Sequence, residues 1–167
     1  TGETKIPVGT PVANRNSVEL ENVLGFFANT VILVNDFSQV TTYSELIAQT
    51  RKFTADAFAN QEVPFDRLVN EIQAERNLSQ SALFQVMFVF QNVGVEIPPV
   101  MGLTIEASEP DSMTTQFDLT LYLRETESGI TGRVQYDENL YDESTIRNLV
   151  EHLHNVLDGL QVGKDQA

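Results

Sequence analysis

The chain has 167 residues, 41% of them apolar and 20% charged, with a formal net charge of −14; this is the profile of a globular domain or lobe with one core, not of a disordered tract. Ten Lys and Arg against 24 Asp and Glu argue against nucleic acid or an anionic membrane as partner. No apolar run approaches the ~18 residues of a membrane span, and the absence of Cys excludes a disulfide framework, a thiolate nucleophile and Cys-ligated zinc.

The first residues, Thr-Gly-Glu-Thr-Lys, are polar, and no signal peptide is read there. No Met opens the chain, so the expectation is a piece cut from something longer; the lack of Cys fits a cytoplasmic setting. Residues 5–13, Lys-Ile-Pro-Val-Gly-Thr-Pro-Val-Ala, read as a short extended segment in which two prolines exclude a central strand. Asn14-Arg15-Asn16 and helix-like acidic turns lead into Gly25-Phe26-Phe27-Ala28-Asn29-Thr30. Residues 26–34 then read as a buried strand, apolar on both faces apart from Asn29 and Thr30.

Thr42-Tyr43-Ser44-Glu45 has the form of a capping box, and Leu46, Ile47, Thr50, Phe53, Ala57 and Phe58 follow at helical spacing. Pro64 opens a shorter helix with Phe65, Leu68, Val69 and Ile72 on one face. After a polar break at 75–82, residues 83–91 are rich in Phe and Val and predict a central strand. Further strands are expected at 103–107, 117–124 and 130–137, the last two joined as a hairpin at Glu127-Ser128-Gly129. In 117–124, Phe117, Leu119, Leu121 and Leu123 line one face; Asp118, Thr120, Tyr122 and Arg124 line the other. The last helix starts at an Asp142 N-cap and carries a stripe from Ile146 to Leu160, with Gly159 as its C-terminal cap. The sum is an α/β (α+β) two-layer structure with a mixed sheet of about five strands and about three helices.

Chemistry-bearing patterns are few. Neither a Gly-rich phosphate loop nor Gly-x-Ser-x-Gly is present. The two His residues share the last helix on opposite flanks of its stripe, so they make no metal pair and no metal site is expected. Residues 153–159 contain His154-x-x-x-Asp158-Gly159, close to the His-His-x-x-x-Asp-Gly signature of carrier-dependent acyltransferases. Leu153 replaces its first His, and the Asp-Gly is explained by a helix end, so the match reads as coincidence and no catalytic residue is assigned.

Four stretches, in order, resemble the second half of a nonribosomal peptide synthetase condensation domain: Gly9 to Arg15, Gly25 to Thr30, Asn60 to Val69, and Arg76-Asn77-Leu78-Ser79 with Leu83 to Phe88. The likeness continues through Phe117-Asp118-Leu119-Thr120-Leu121 to the closing helix. Two positions depart from the family pattern: Asn60 stands where His is usual and Ala82 where Pro is usual. The family's His-His-x-x-x-Asp-Gly belongs to an N-terminal lobe that these residues do not include.

The resemblance implies one lobe of a chloramphenicol-acetyltransferase-like fold, with 1–162 as the C-terminal lobe and 163–167 as the start of a linker or tail. It implies amide formation between a donor thioester and an acceptor amine, both on phosphopantetheine arms of carrier proteins, with no cofactor held by the lobe itself. Implied partners are the N-terminal lobe, donor and acceptor peptidyl carrier proteins and a neighbouring adenylation domain, with self-association of an isolated lobe through uncovered apolar surface. Alone, the lobe is expected to be inactive. Arg15 is either a solvated loop residue or a partner for the Asp of the upstream motif, and Asn29 is either an internal hydrogen-bonder, the favoured reading, or a tunnel-wall contact. Gln85 is a tunnel-lining candidate for which core packing is favoured; Asn14, Gly25, Pro64, Phe65 and Phe84 are structural. The segment from Asn92 to Gln116 is a candidate arm to the other lobe. The alternatives are a lobe of an epimerisation or heterocyclisation relative, or a non-catalytic interaction module.

Overall fold

The computed structural model describes residues 2–72, 83–91, 114–126 and 128–162. Within them, strands β1 (Lys5–Val12), β2 (Asn29–Asp36), β3 (Val86–Gln91), β4 (Leu119–Thr126) and β5 (Gly129–Tyr136) form one mixed sheet in the order β2-β1-β3-β4-β5. The helices are α1 (Val18–Glu21), α2 (Tyr43–Ala59), α3 (Phe65–Ile72) and α4 (Glu143–Val162). The strand expected at 103–107, the start of the fourth motif at Arg76 to Ser79, Ala82, most of the Asn92–Gln116 segment, Glu127 and residues 163–167 lie outside the described residues.

β1 corrects the expectation from its prolines. It is an interior strand, antiparallel to β2 along its whole length and parallel to β3 at Val8 and Gly9. The Phe37 N–H donates to the Thr4 carbonyl at 2.7 Å, one step beyond the Lys5–Asp36 pair. Alternation along an antiparallel pair then turns the even-numbered residues of β1 toward β2. Pro7 and Pro11 therefore direct their donor-less nitrogens to the β3 side, where the ladder is confined to two residue pairs. Between them Gly9 is buried under Phe84, a residue 1% exposed, and a Cβ at position 9 would lie 2.2 Å from its ring. Phe84 stacks on Phe117 at 5.0 Å and meets Phe65 edge-on at 5.8 Å, so one aromatic cluster ties β1, α3 and the approaches to β3 and β4 together.

β3 is the central strand, parallel to β1 and β4, and β4 and β5 form the expected hairpin. The alternation of β4 sorts the sheet into two faces, with Leu119 and Leu121 on one and Thr120 and Tyr122 on the other. α2 begins with the expected capping box: the Thr42 hydroxyl accepts from the Glu45 N–H at 3.2 Å, and the Glu45 carboxylate accepts from the Thr42 N–H at 3.2 Å. The helix lies along β2, where Gln49 donates to the Asp36 carbonyl at 2.9 Å and Thr50 to the Asn35 side chain at 3.1 Å. Thr54 and Phe58 of α2 border an apolar groove of about 720 Å³ floored by Val8, Phe88 and Leu121.

α4 follows Asp142, whose carbonyl accepts from Thr145 and Ile146, and Ile146 is its buried anchor beside Tyr136. Gly159 does not cap it. The helix runs on to Val162 because the apolar stripe continues through Leu160, and nothing stands within 4 Å of a Cβ placed on Gly159. α1 is the fourth helix, a single acidic turn carrying Glu19 and Glu21.

Candidate functional site

The carboxyl end of β1 turns sharply at Asn14, whose φ of 52° lies in the left-handed region that Asn tolerates better than most residues. The turn sends Arg15 into the loop that follows. Its Nη1 donates to the Leu20 carbonyl and to the Val23 carbonyl at 2.9 Å, and its Nη2 to the Gly25 carbonyl at 3.2 Å. The guanidinium carbon sits 4.4 Å from the centre of the Phe27 ring. Arg15 is half-buried and clamps residues 20–27 rather than standing in solvent. Held this way, the loop leaves Leu24 99% and Phe26 93% exposed.

A second set of bonds joins this corner to α3. Asn29, first residue of β2, donates from Nδ2 to the carbonyls of Gln61 and Val63 at 2.8 and 2.7 Å. Its Oδ1 accepts the Phe65 N–H at 3.1 Å. Both amide hydrogens and the carbonyl are thereby engaged in aligning the turn before Phe65. Pro64 supports the same turn, its carbonyl accepting from Arg67 and Leu68, and Asn16 reaches Glu62 at 3.2 Å. The described parts of all four motif stretches therefore meet: Arg15 with Gly25, Asn29 with Phe65, and Gly9 with Phe84. Gln85 does not join them. It precedes β3 and is exposed, so it takes no part in core packing; its carbonyl accepts the Leu119 N–H at 3.3 Å.

Beside the corner, on the sheet face of Thr120 and Tyr122, lies a cleft of about 530 Å³. Phe26 stands at its wall, Met87 and Val89 of β3 and Thr120 and Tyr122 of β4 along its floor, and Gln135 of β5 at the far side. Asn29 also lines it, with its polar atoms bound as described. The cleft mixes apolar surface with neutral hydrogen-bonding groups, the usual make-up of a small-molecule pocket. Alternation along β4 makes its face legible from sequence, but the hydrogen bond from Tyr122 to Gln135, which is the register partner of Thr120, depends on hairpin register and carries no local signal. His154 and Asp158 are exposed on α4, away from this cleft, and no group of metal-ligating side chains occurs among the described residues. Likewise, no described helix is long and apolar enough to cross a membrane.

A family model described as Condensation domain matches residues 1–165. A component of the linear gramicidin synthase of Brevibacillus parabrevis is 38% identical over 169 residues, covering 100% of this chain and 3% of its own length. Malpinin synthetase of Mortierella alpina is 37% identical over 166 residues, covering 99% of this chain and 2% of its own. The chain thus spans only a small part of these relatives. The structure of the condensation domain from the monacolin K polyketide synthase MokA superposes with a TM-score of 0.84 over 99% of this chain and 39% of that one, at 19% identity. The likeness is one of fold, and it agrees with the expected chloramphenicol-acetyltransferase-like architecture.

Proposed function

The chain belongs to the condensation-domain family, and from that premise we propose that it is the C-terminal lobe of a nonribosomal peptide synthetase condensation domain. The complete domain joins a carrier-bound donor thioester to a carrier-bound acceptor amine. The amine nitrogen attacks the thioester carbonyl, the C–N bond forms, the C–S bond breaks, and the thiol leaves with the proton lost by the amine. The group assisting that attack is the second His of the upstream lobe's His-His-x-x-x-Asp-Gly. This lobe contributes one wall of the tunnel that admits the two phosphopantetheine arms.

The observation that carries the reading is family membership over nearly the whole chain, together with the Asn14–Arg15 corner beside the cleft. Three N–H donors of Arg15 serve the loop carbonyls, and its Nε–H and one Nη2–H make a side-on fork. That fork suits a bidentate pair with the Asp of the upstream motif, so Arg15 both orders its own loop and steadies the catalytic one. Leu24 and Phe26 supply apolar contact to the same upstream lobe. Without that lobe the exposed surface favours self-association. Carrier proteins and an adenylation domain complete the working set of partners.

Mixing the chain with the upstream half of its parent tests the pairing directly. A one-to-one complex by size exclusion with light scattering is the expected result, and failure to associate at tens of micromolar speaks against it.

A further inference from the structure

Among the polar side chains lining the cleft, the Tyr122 hydroxyl has its sense set by a neighbour. Gln135 donates from Nε2 to the Thr114 carbonyl at 2.8 Å, which orients its amide so that Oε1 faces β4. The Tyr122 hydroxyl donates to that Oε1 at 3.3 Å. With its single proton committed, Tyr122 has only lone pairs to offer the cleft. The Arg133 guanidinium lies 4.6 Å from the centre of the Tyr122 ring and holds the ring in place. Around this acceptor stand the apolar Met87, Val89 and Phe117 and the neutral Thr120. Among the described lining residues there is neither a carboxylate nor a cation, in a chain of net charge −14. A space of about 530 Å³ suits an amino-acid side chain with its adjoining backbone.

We propose that the cleft receives an uncharged side chain bearing a hydrogen-bond donor, a hydroxyl or a carboxamide N–H, from one of the two aminoacyl substrates, and that Tyr122 selects it. Gln135 is a positioning residue that sets the direction of the Tyr122 hydroxyl. This inference rests on the condensation reading above and adds the side-chain class to it. Both substrates present the same chemistry, so they are separated by experiment.

The parent synthetase is assayed for amide formation with threonyl against the isosteric valyl group, varied first on the donor carrier and then on the acceptor carrier. In one arm the kcat/KM ratio is expected to favour threonyl on the order of tenfold. Tyr122→Phe brings that ratio close to one, and Gln135→Leu lowers it through KM. Glu143→Gln, on the exposed side of α4, leaves it in place. Product from valyl substrate reports that each variant is folded. A ratio near one in both arms of the natural protein, or one unmoved by Tyr122→Phe while amide still forms, overturns the inference alone. No amide from any pair in the natural protein overturns the condensation reading and this inference with it.

Discussion

Phe84 crosses over Gly9 so closely that position 9 has no room for a side chain: an added Cβ would lie 2.2 Å from the ring. The strand that carries two prolines is thereby pressed against the start of β3, and the interior of the fold depends on that approach.

Gly9→Ala should destabilise the fold by about 1–3 kcal/mol, the usual cost of overpacking a filled core. Urea unfolding followed by circular dichroism measures it. Combining Gly9→Ala with Phe84→Leu should cost less than the sum of the two single changes, because the smaller side chain yields the space. Strict additivity would contradict the contact.

Asn29→Ala leaves two carbonyls and the Phe65 N–H without their partner, with an expected loss of about 1–3 kcal/mol. Asn29→Asp is more informative. At neutral pH a carboxylate would face the Gln61 and Val63 carbonyls, so this variant should be the less stable of the two. It should recover on acidification, when the protonated group can donate again. Equal stability of the Asp variant at pH 7 and pH 4, relative to the natural chain, would count against the hydrogen-bond assignment.

The capping box sets a pH dependence with a definite sign. Glu45 is held below the usual carboxylate range, first by the Thr41 N–H and hydroxyl and then by the Thr42 N–H. A depressed folded value means that its contribution is fully present above the unfolded value, about 4.3. The contribution fades as pH falls through the folded value. Thr42→Ala should cost about 1 kcal/mol, and Glu45→Gln should flatten the acid limb of the stability profile below about pH 4.3. Thermal melts from pH 3 to 7 read both effects. An unchanged acid limb in Glu45→Gln would show that the box does not set it.

Arg15→Lys keeps the charge but cannot serve three carbonyls and a fork at once. Amide exchange over residues 22–27 should quicken by roughly tenfold while the sheet keeps its protection. Pairing with the upstream half should also weaken. Unchanged exchange in that loop would show that the clamp does not order it.

What was legible in the sequence follows from how local each signal is. The Thr42–Glu45 box, the Pro64 start of α3 and the alternating faces of β4 each lie within a few residues, and the structure has them where spacing puts them. Pro7 and Pro11 mislead when counted and inform when their parity is noted, since both open to the side with the shorter ladder. Gly159 looks like a stop by residue type alone, yet the stripe already passes it to Leu160 and the helix runs on to Val162. The Arg15 clamp, the Asn29 bonds and the Tyr122–Gln135 relay join distant or register-dependent partners. Residue type at Arg15 and Asn29 signals that a partner is needed without saying which.

The most direct measurement is amide formation from aminoacyl-loaded and peptidyl-loaded carrier proteins, run with this chain alone, with the upstream half alone, and with the two mixed. Product is expected only in the mixture, and much less of it when the chain carries Arg15→Ala. Product from this chain alone would contradict the half-site reading and return attention to His154 and Asp158.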